Sequence, residues 1–289
     1  MDGILNIYKT PGMTSFDVVR SIRKLSRIKK VGHTGTLDPL ATGVLPVCLG
    51  KATKLVDYIM DDFKIYDVVL KLGFTSDTYD KEGKIVKGSH INVSEEDIRD
   101  AINSFIGSID QIPPMYSALK VNGKRLYELA RQGIEVERKS RKITIYDIRI
   151  TEIKIPYVSF VVKCSKGTYI RSLCNDIGSI LKCGGLMWNL ERIATGAFTK
   201  EDSIKLDDLT EENIREHLIS MDTALHMYQK IYFNDDLEKL LINGVILKNN
   251  SLIDYIPDNK LCRTYLKNNK FIGIGMKNEV GFKIVKLLT

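Results

Sequence analysis

An α/β fold with a small β-rich C-terminal part is predicted for this chain of 289 residues. Three observations carry that prediction. Capping signals at Thr14 and Ser94 each precede apolar residues at helical spacing. The segment "KIYDVVLKLG" (64–73) alternates Tyr66, Val68 and Leu70, and "KITIYDIRITEIKI" (142–155) and "YVSFVVKCS" (157–165) are two further β-rich runs. From Ile231 the chain turns to short β-prone pieces separated by Asn, Gly and Lys. It ends in "KFIGIGMKNEVGFKIVKLLT", two alternating segments joined at "KNEVG" as a hairpin.

Taken in order, residues 14–30 open with Thr14 three before Asp17, a capping box. Val18, Ile22 and Leu25 then mark the inner face of an amphipathic helix whose other face is basic. Residues 53–61 read as a second helix, and 64–73 as a strand ended by Gly73. Ser94, followed by Glu95, Glu96 and Asp97, caps a helix of about three turns ending at Gly107. The paired prolines of "QIPPMYSALK" (111–120) exclude a regular element there. "GKRLYELARQG" (123–133) reads as a short basic helix stopped by Gly133. "GTYIRSLCNDIGSIL" (167–181) passes from loop into helix, and the acidic stretch 201–228 reads as helical. A domain boundary is placed near residue 229, giving segments 1–228 and 229–289.

Composition narrows the function. Hydrophobic residues at 44% and charged residues at 27% are ordinary for a globular protein, and no apolar run is long enough for a membrane span. The start, "MDGILNIYKT", has an acidic second residue and no apolar core, so no secretory signal is read and a cytoplasmic location is expected. Five cysteines without a CxxC pair and four scattered histidines argue against disulfides and against a metal site. The net charge of +7 is unevenly spread. Arg20 to Lys30 holds no acid, and in 120–142 basic residues outnumber Glu128, Glu135 and Glu137. Two such patches fit a polyanion, although charge alone favours a pair of solvated helix faces.

The stretch "GHTGTLDPLATGVLP" (32–46) sets glycines and Asp-Pro among apolar residues, so it reads as a buried loop carrying Asp38. A phosphate cradle is a poor reading, because neither GxxxxGK[ST] nor GxGxxG is present. Two readings remain open on the residues alone. Asp38 caps a turn, or Pro39 fixes the backbone so that a nucleophile or base is rigidly presented.

A longer comparison favours the second. "GHTGTLDPLATGVLPVCLGKATK" resembles the signature of the TruB family of pseudouridine synthases. "KTPGMTSFDVVRSIRK" is similar to that family's N-terminal motif, "KIYDVVLKLG" to its tyrosine motif and "SKGTYIRSLCNDIG" to its arginine motif. "IPPMYSALKVNGKRLYELARQGIEVERKSR" resembles its RNA-gripping insertion, about 111–142, and the tail from 229 resembles its PUA-like RNA-binding domain. The resemblance implies a mixed, largely antiparallel central sheet flanked by helices. It also implies isomerisation of a uridine in the T-arm of tRNA after base flipping, without cofactor, metal or required protein partner. A monomer is expected because nothing in the sequence suggests a shared interface.

The same resemblance assigns the residues. Asp38 would be the catalytic carboxylate. Arg171 would pair with it, keeping it charged and lowering its pKa. Tyr66 would stack on the target base and assist loss of the C5 proton, with Tyr169 and Leu190 as pocket walls. His33 would pack into the RNA beside the flipped nucleotides, and Lys9 would belong to the substrate-binding set. The basic segments 20–30 and 120–142 would contact phosphates. Two departures stand out: Tyr8-Lys9-Thr10 replaces the family's Asp-Lys-Pro, and Glu191 stands where a basic residue is common. Two other functions compete, an RNA-guided synthase working within a ribonucleoprotein and a non-catalytic RNA-binding protein or chaperone. The complete insertion argues against the first, and the trio Asp38, Tyr66 and Arg171 against the second.

Overall fold

A computed structural model describes residues 1–60, 63–121 and 123–289 of the chain. Its frame is one large mixed sheet of eleven strands. The long strands are β1 (Gly3–Lys9), β2 (Val31–His33), β3 (Thr42–Leu49), β4 (Lys64–Leu72), β5 (Gly107–Gln111), β6 (Arg141–Lys154), β7 (Tyr157–Cys164) and β8 (Gly185–Thr195). Along the sheet the order is β1, β3, β8, β4, β7, β6, β5, with β2 paired to β3. All these neighbours are antiparallel except β3 and β8, which run parallel where Glu191 faces Thr42 and Arg192 faces Gly43.

Two-residue alternation gives the sheet two apolar faces. Leu5, Ile7, Leu45, Val47 and Val68 point to one side. There they meet Val18, Val19 and Ile22 of α1 (Ser15–Ser26), Ile98 and Ile102 of a helix at Glu95–Asn103, and Leu173 and Ile177 of a helix at Ile170–Ile180. Ile4, Val44 and Cys48 point to the other side and meet Leu55, Ile59, Phe198 and Leu225. Helices therefore flank the sheet, as expected. Burying each such aliphatic side chain contributes roughly 1.5–3 kcal/mol, far more than any surface contact in the fold.

A second, four-stranded sheet follows: β9 (Gln229–Phe233), β10 (Leu261–Leu266), β11 (Phe271–Asn278) and β12 (Gly281–Leu287). The terminal hairpin is β11 and β12, paired antiparallel. This β-rich unit has its own core around Phe233, Leu266 and Phe282. It also contributes Ile274 and Leu288 to the cluster behind the large sheet.

Local signals translated closely. Both capping boxes form, Thr14 with Asp17 and Ser94 with Asp97. Gly133 ends the insertion helix (Leu126–Arg131) with φ +72°, a conformation other residues adopt only under strain. Several boundaries need correction. The first helix stops at Ser26, where Arg27 turns left-handed, so Ile28 to Lys30 lie outside it. The helix after Ser94 ends at Asn103, and Gly107 begins a strand. The helix expected over 53–61 is a 3₁₀ turn at Gly50–Leu55 followed by Val56–Met60, and residue 61 lies outside the described residues. The loop expected over 32–46 narrows to 34–41, because β2 and β3 close around it.

The largest correction is 201–228, which is not a helix. Ile204–Lys205 adds to β1 in parallel and Leu218–Ile219 in antiparallel, with turns between them and one short helix at Met221–Ala224. Pairing with the edge of a ready-made sheet satisfies the backbone of this segment, and its acids remain on the outside. No described helix is long and apolar enough to cross a membrane.

Candidate active site

Asp38 sits in the short loop between β2 and β3, at the end of the large sheet. Three ties fix that loop. The Ser15 hydroxyl donates to the Leu37 carbonyl at 3.1 Å and accepts from the Leu37 N–H at 2.8 Å. Gly12 N–H donates to the Pro39 carbonyl at 3.0 Å. The Lys9 ammonium, wholly buried, donates to the carbonyls of Thr10, Met13 and Pro39 at 2.8–3.0 Å. Burial lowers the Lys9 pKa to about 8 against the pull of Asp38. With three protons committed to carbonyls, Lys9 braces the loop from behind. That geometry does not support its expected place among the substrate-contacting residues.

Arg171, in the first turn of its helix, grips the Asp38 carboxylate from the side. Its Nε reaches Oδ2 at 2.9 Å and its Nη2 reaches Oδ1 at 3.3 Å. The planar guanidinium thus fixes the direction of the carboxylate. Its remaining protons go to the Tyr116 carbonyl at 2.9 Å, the Thr78 carbonyl at 3.2 Å and the Asp80 carboxylate at 3.5 Å. Asp80 is itself buried and held by the Thr78 hydroxyl at 2.6 Å and the Glu82 N–H at 2.9 Å.

One cation is therefore shared by two carboxylates, and the Asp38 pKa shift is the reverse of the one expected. Burial, the largest cause, raises the Asp38 pKa above the ordinary carboxylate value, and Asp80 adds to the rise. Arg171 and Lys9 oppose it without cancelling it, so desolvation outweighs pairing here. The cleft beside Asp38, lined by Leu40, Asp80, Glu82, Trp188 and Leu190 among others, has a volume of about 10 Å³. The enclosed part of the cleft admits about one water molecule, while the Asp38 side chain stays 33% exposed to solvent at its mouth.

The apolar wall is built by strand register. Tyr66 of β4 faces Arg192 of β8, which faces Gly43 of β3 on its other side. Gly43 has φ +103°, and a Cβ there would lie 2.2 Å from the Arg192 carbonyl oxygen, so only glycine allows this approach. Arg192 is 1% exposed and donates to the carbonyls of Val44 at 2.7 Å and Gly35 at 3.2 Å. Its guanidinium also lies against the Tyr66 hydroxyl. Burial nevertheless pushes the Tyr66 phenol up to about 12, so at neutral pH the ring carries its proton. Leu190, buried, lines the same cleft as Asp38. Tyr169 caps the Arg171 helix, its backbone held at both N–H and C=O by the Gln111 side chain at 2.8 and 3.0 Å.

His33, half-buried, ends β2. Its Nδ1 accepts from the Gly35 N–H at 3.2 Å, which assigns the proton to Nε2. Burial and then Arg192 lower its pKa, so the ring is neutral above mildly acidic pH. The structure thus places Asp38 and Leu190 on one cleft, Arg171 in contact with Asp38, Tyr66, Tyr169 and Lys9 within electrostatic reach of Asp38, and His33 beside Arg192. Asp80 and Arg192 were missed. Asp80 lies in "TSDTYDKEG" (75–83), which reads as a surface turn, and Arg192 looks like any strand-end arginine.

The two departures from the family pattern meet in space. Across β3, the Tyr8 hydroxyl donates to Glu191 Oε1 at 2.7 Å, and Lys200 pairs with the same oxygen at 2.7 Å. The trio ties the end of β1, next to Lys9, to the strand carrying Leu190 and Arg192. Tyr8→Asp alone would set two carboxylates together, and thermal denaturation should show a loss of about 1–3 kcal/mol. Adding Glu191→Arg should recover most of that loss, and simple additivity of the two changes would refute the coupling.

Among the described residues, no group of three or more His, Cys, Asp or Glu is placed to hold a metal ion. Two family descriptions match adjoining parts of the chain: "TruB family pseudouridylate synthase (N terminal domain)" over 23–170 and "tRNA pseudouridylate synthase B C-terminal domain" over 171–226. Together with the mixed sheet they define the class, a pseudouridine synthase. The tRNA pseudouridine synthase B of Clostridium novyi (strain NT) is 61% identical over 288 residues, covering 100% of both chains. That of Clostridium acetobutylicum is 60% identical over 289 residues with the same coverage. Among solved structures, a Cbf5-Nop10-Gar1 complex matches with TM-score 0.77 and 28% identity, over 99% of this chain and 85% of that one. An H/ACA RNP bound to a substrate RNA containing 2'-deoxyuridine matches with TM-score 0.74 and 26% identity, over 99% and 85%. The chain belongs to the TruB family of pseudouridylate synthases.

Proposed function

We propose that the chain isomerises one uridine in the T-loop of tRNA, position 55 in tRNA numbering, to pseudouridine, with Asp38 as the essential carboxylate. The observation that carries the reading is the Asp38–Arg171 pair, held by three loop ties beside a cleft lined by Leu190, with Tyr66 buried within electrostatic reach of the carboxylate. Full-length identity of 61% and 60% to proteins named tRNA pseudouridine synthase B supports the substrate class.

The reaction breaks the N1–C1′ bond, turns the base and forms a C5–C1′ bond. C5 loses a proton and N1 gains one, so no oxidant, reductant or external group enters. The target must leave its stack to reach Asp38. Asp38 acts as an anion whose orientation Arg171 holds, with Asp80 fixing Arg171 in turn. Tyr66, protonated at working pH, offers its ring face to the base rather than a phenolate. Tyr169 and Leu190 exclude water on either side, and neutral His33 packs against RNA at the cleft edge without a charge to desolvate.

Phosphate contact falls to the exposed basic residues of α1 and of the insertion at 111–142. The unit at 229–289 is proposed as a PUA-like RNA-binding domain and 1–228 as the catalytic domain. The chain acts as a monomer in the cytoplasm without a protein partner. The 61% and 60% relatives match this chain over its full length under the name tRNA pseudouridine synthase B, which favours that reading over an RNA-guided synthase.

The test is tritium release from an unmodified tRNA transcript carrying [5-³H]uridine. Release of one equivalent, mapped to the T-loop, is the expected result with the chain alone. No release despite tight tRNA binding would leave an RNA-binding protein and overturn the reading.

A further inference from the structure

Phe16 is out of place for an apolar residue. It lies in the first turn of α1 with 53% of its surface exposed, while Val18, Val19 and Ile22 of the same helix are buried. Its exposure is thus no failure of packing, because the helix already has a complete inner face. The guanidinium carbons of Arg20 and Arg23 stand 5.5 and 5.8 Å from the Phe16 ring centroid. Both arginines are exposed, as is Lys24.

Position ties this patch to the site. Ser15, the residue before Phe16, makes both hydrogen bonds to Leu37, the residue before Asp38. Arg23 donates to the Val31 carbonyl at 3.0 Å, at the start of the strand that ends in His33. An exposed ring bordered by cations therefore stands one residue from the Ser15 tie that holds the loop presenting Asp38.

We infer that Phe16 is a stacking platform for a second nucleobase of the substrate, one flanking the uridine delivered to Asp38. The inference rests on the reading of the substrate as RNA. A base taken from its stack leaves its neighbours with open π-faces, and an aromatic ring accepts such a face whatever the base. Lys24 supplies backbone charge beside it, Arg20 borders the ring while pairing with Asp17 at 3.1 Å, and Arg23 holds the helix to β2. The three cations outnumber that one acid, a surface better suited to a polyanion than to an apolar protein partner.

The experiment measures tRNA binding and single-turnover tritium release in the same samples for the wild type, Phe16→Ala, Phe16→Leu and Phe16→Trp. The Ala and Leu variants should each bind about tenfold more weakly, as the loss of one base–aromatic stack does. At saturating enzyme both should turn over at the wild-type rate. Phe16→Trp should bind as tightly as the wild type. Equal binding by all four overturns the platform, and so does full binding by the Leu variant, which would show plain apolar contact. Absence of turnover in the wild type would instead refute the enzymatic reading, and the binding series would still decide the role of Phe16.

Discussion

Asp38→Asn is expected to abolish tritium release from a tRNA transcript while leaving tRNA affinity within about twofold. The carboxamide matches the carboxylate in size, and the ties that hold the loop all go to backbone at Leu37 and Pro39 or to Lys9. Shape is therefore retained and only the negative charge and its nucleophilic or basic oxygen are lost. Removing a group on which the chemical step depends costs factors of roughly 10⁴ or more, as other enzymes show. Residual release above a thousandth of the wild-type rate would mean that another group performs the step.

The second large effect is expected from Arg171→Lys. Lysine keeps one positive charge but has no fork, so it cannot bridge Oδ1 and Oδ2 of Asp38 while holding the carbonyls of Tyr116 and Thr78. Turnover should fall by roughly 10²–10³, in the range seen when one preorganised electrostatic group is lost. The pH profile separates this from simple damage. Asp38 already titrates above an ordinary carboxylate because burial raises it and Arg171 only partly restores it. Activity needs the ionised form, so it falls as pH drops through that raised value. With a less well-placed cation the value rises further, and the acid limb of kcat/KM should move to higher pH. An unmoved limb with reduced activity would show that Arg171 serves the fold and not the charge of Asp38.

What could be read from the sequence was what short stretches decide for themselves. Thr14 with Asp17, and Ser94 with Asp97, cap helices through partners three residues away, so pattern and structure coincide. The alternation in "KIYDVVLKLG" survives as β4 because one face of that strand is buried along its length. The strands β1, β3 and β8 went unread: packed between two apolar layers, β3 is buried at almost every position and shows no alternation. The acids of 201–228 imitated a solvated helix, while the edge of β1 decided their conformation. The site divides in the same way. Asp38, Tyr66 and Arg171 stood in recognisable motifs, whereas Asp80 reaches Arg171 across the fold and Arg192 gains its meaning from its neighbours on β3 and β4. The sign of the Asp38 pKa shift was unreadable too, since it is set first by burial in the folded chain, with Asp80 adding to it.

Arg171 collects its partners from residues 38, 78, 80 and 116, which belong to widely separated parts of the chain. No fragment folding by itself can assemble that cluster, because it requires the β2–β3 loop, the segment after β4 and the insertion all to have docked. The charge pair on which the chemistry rests is therefore a product of the completed fold, and any change that leaves one of those segments undocked dissolves it.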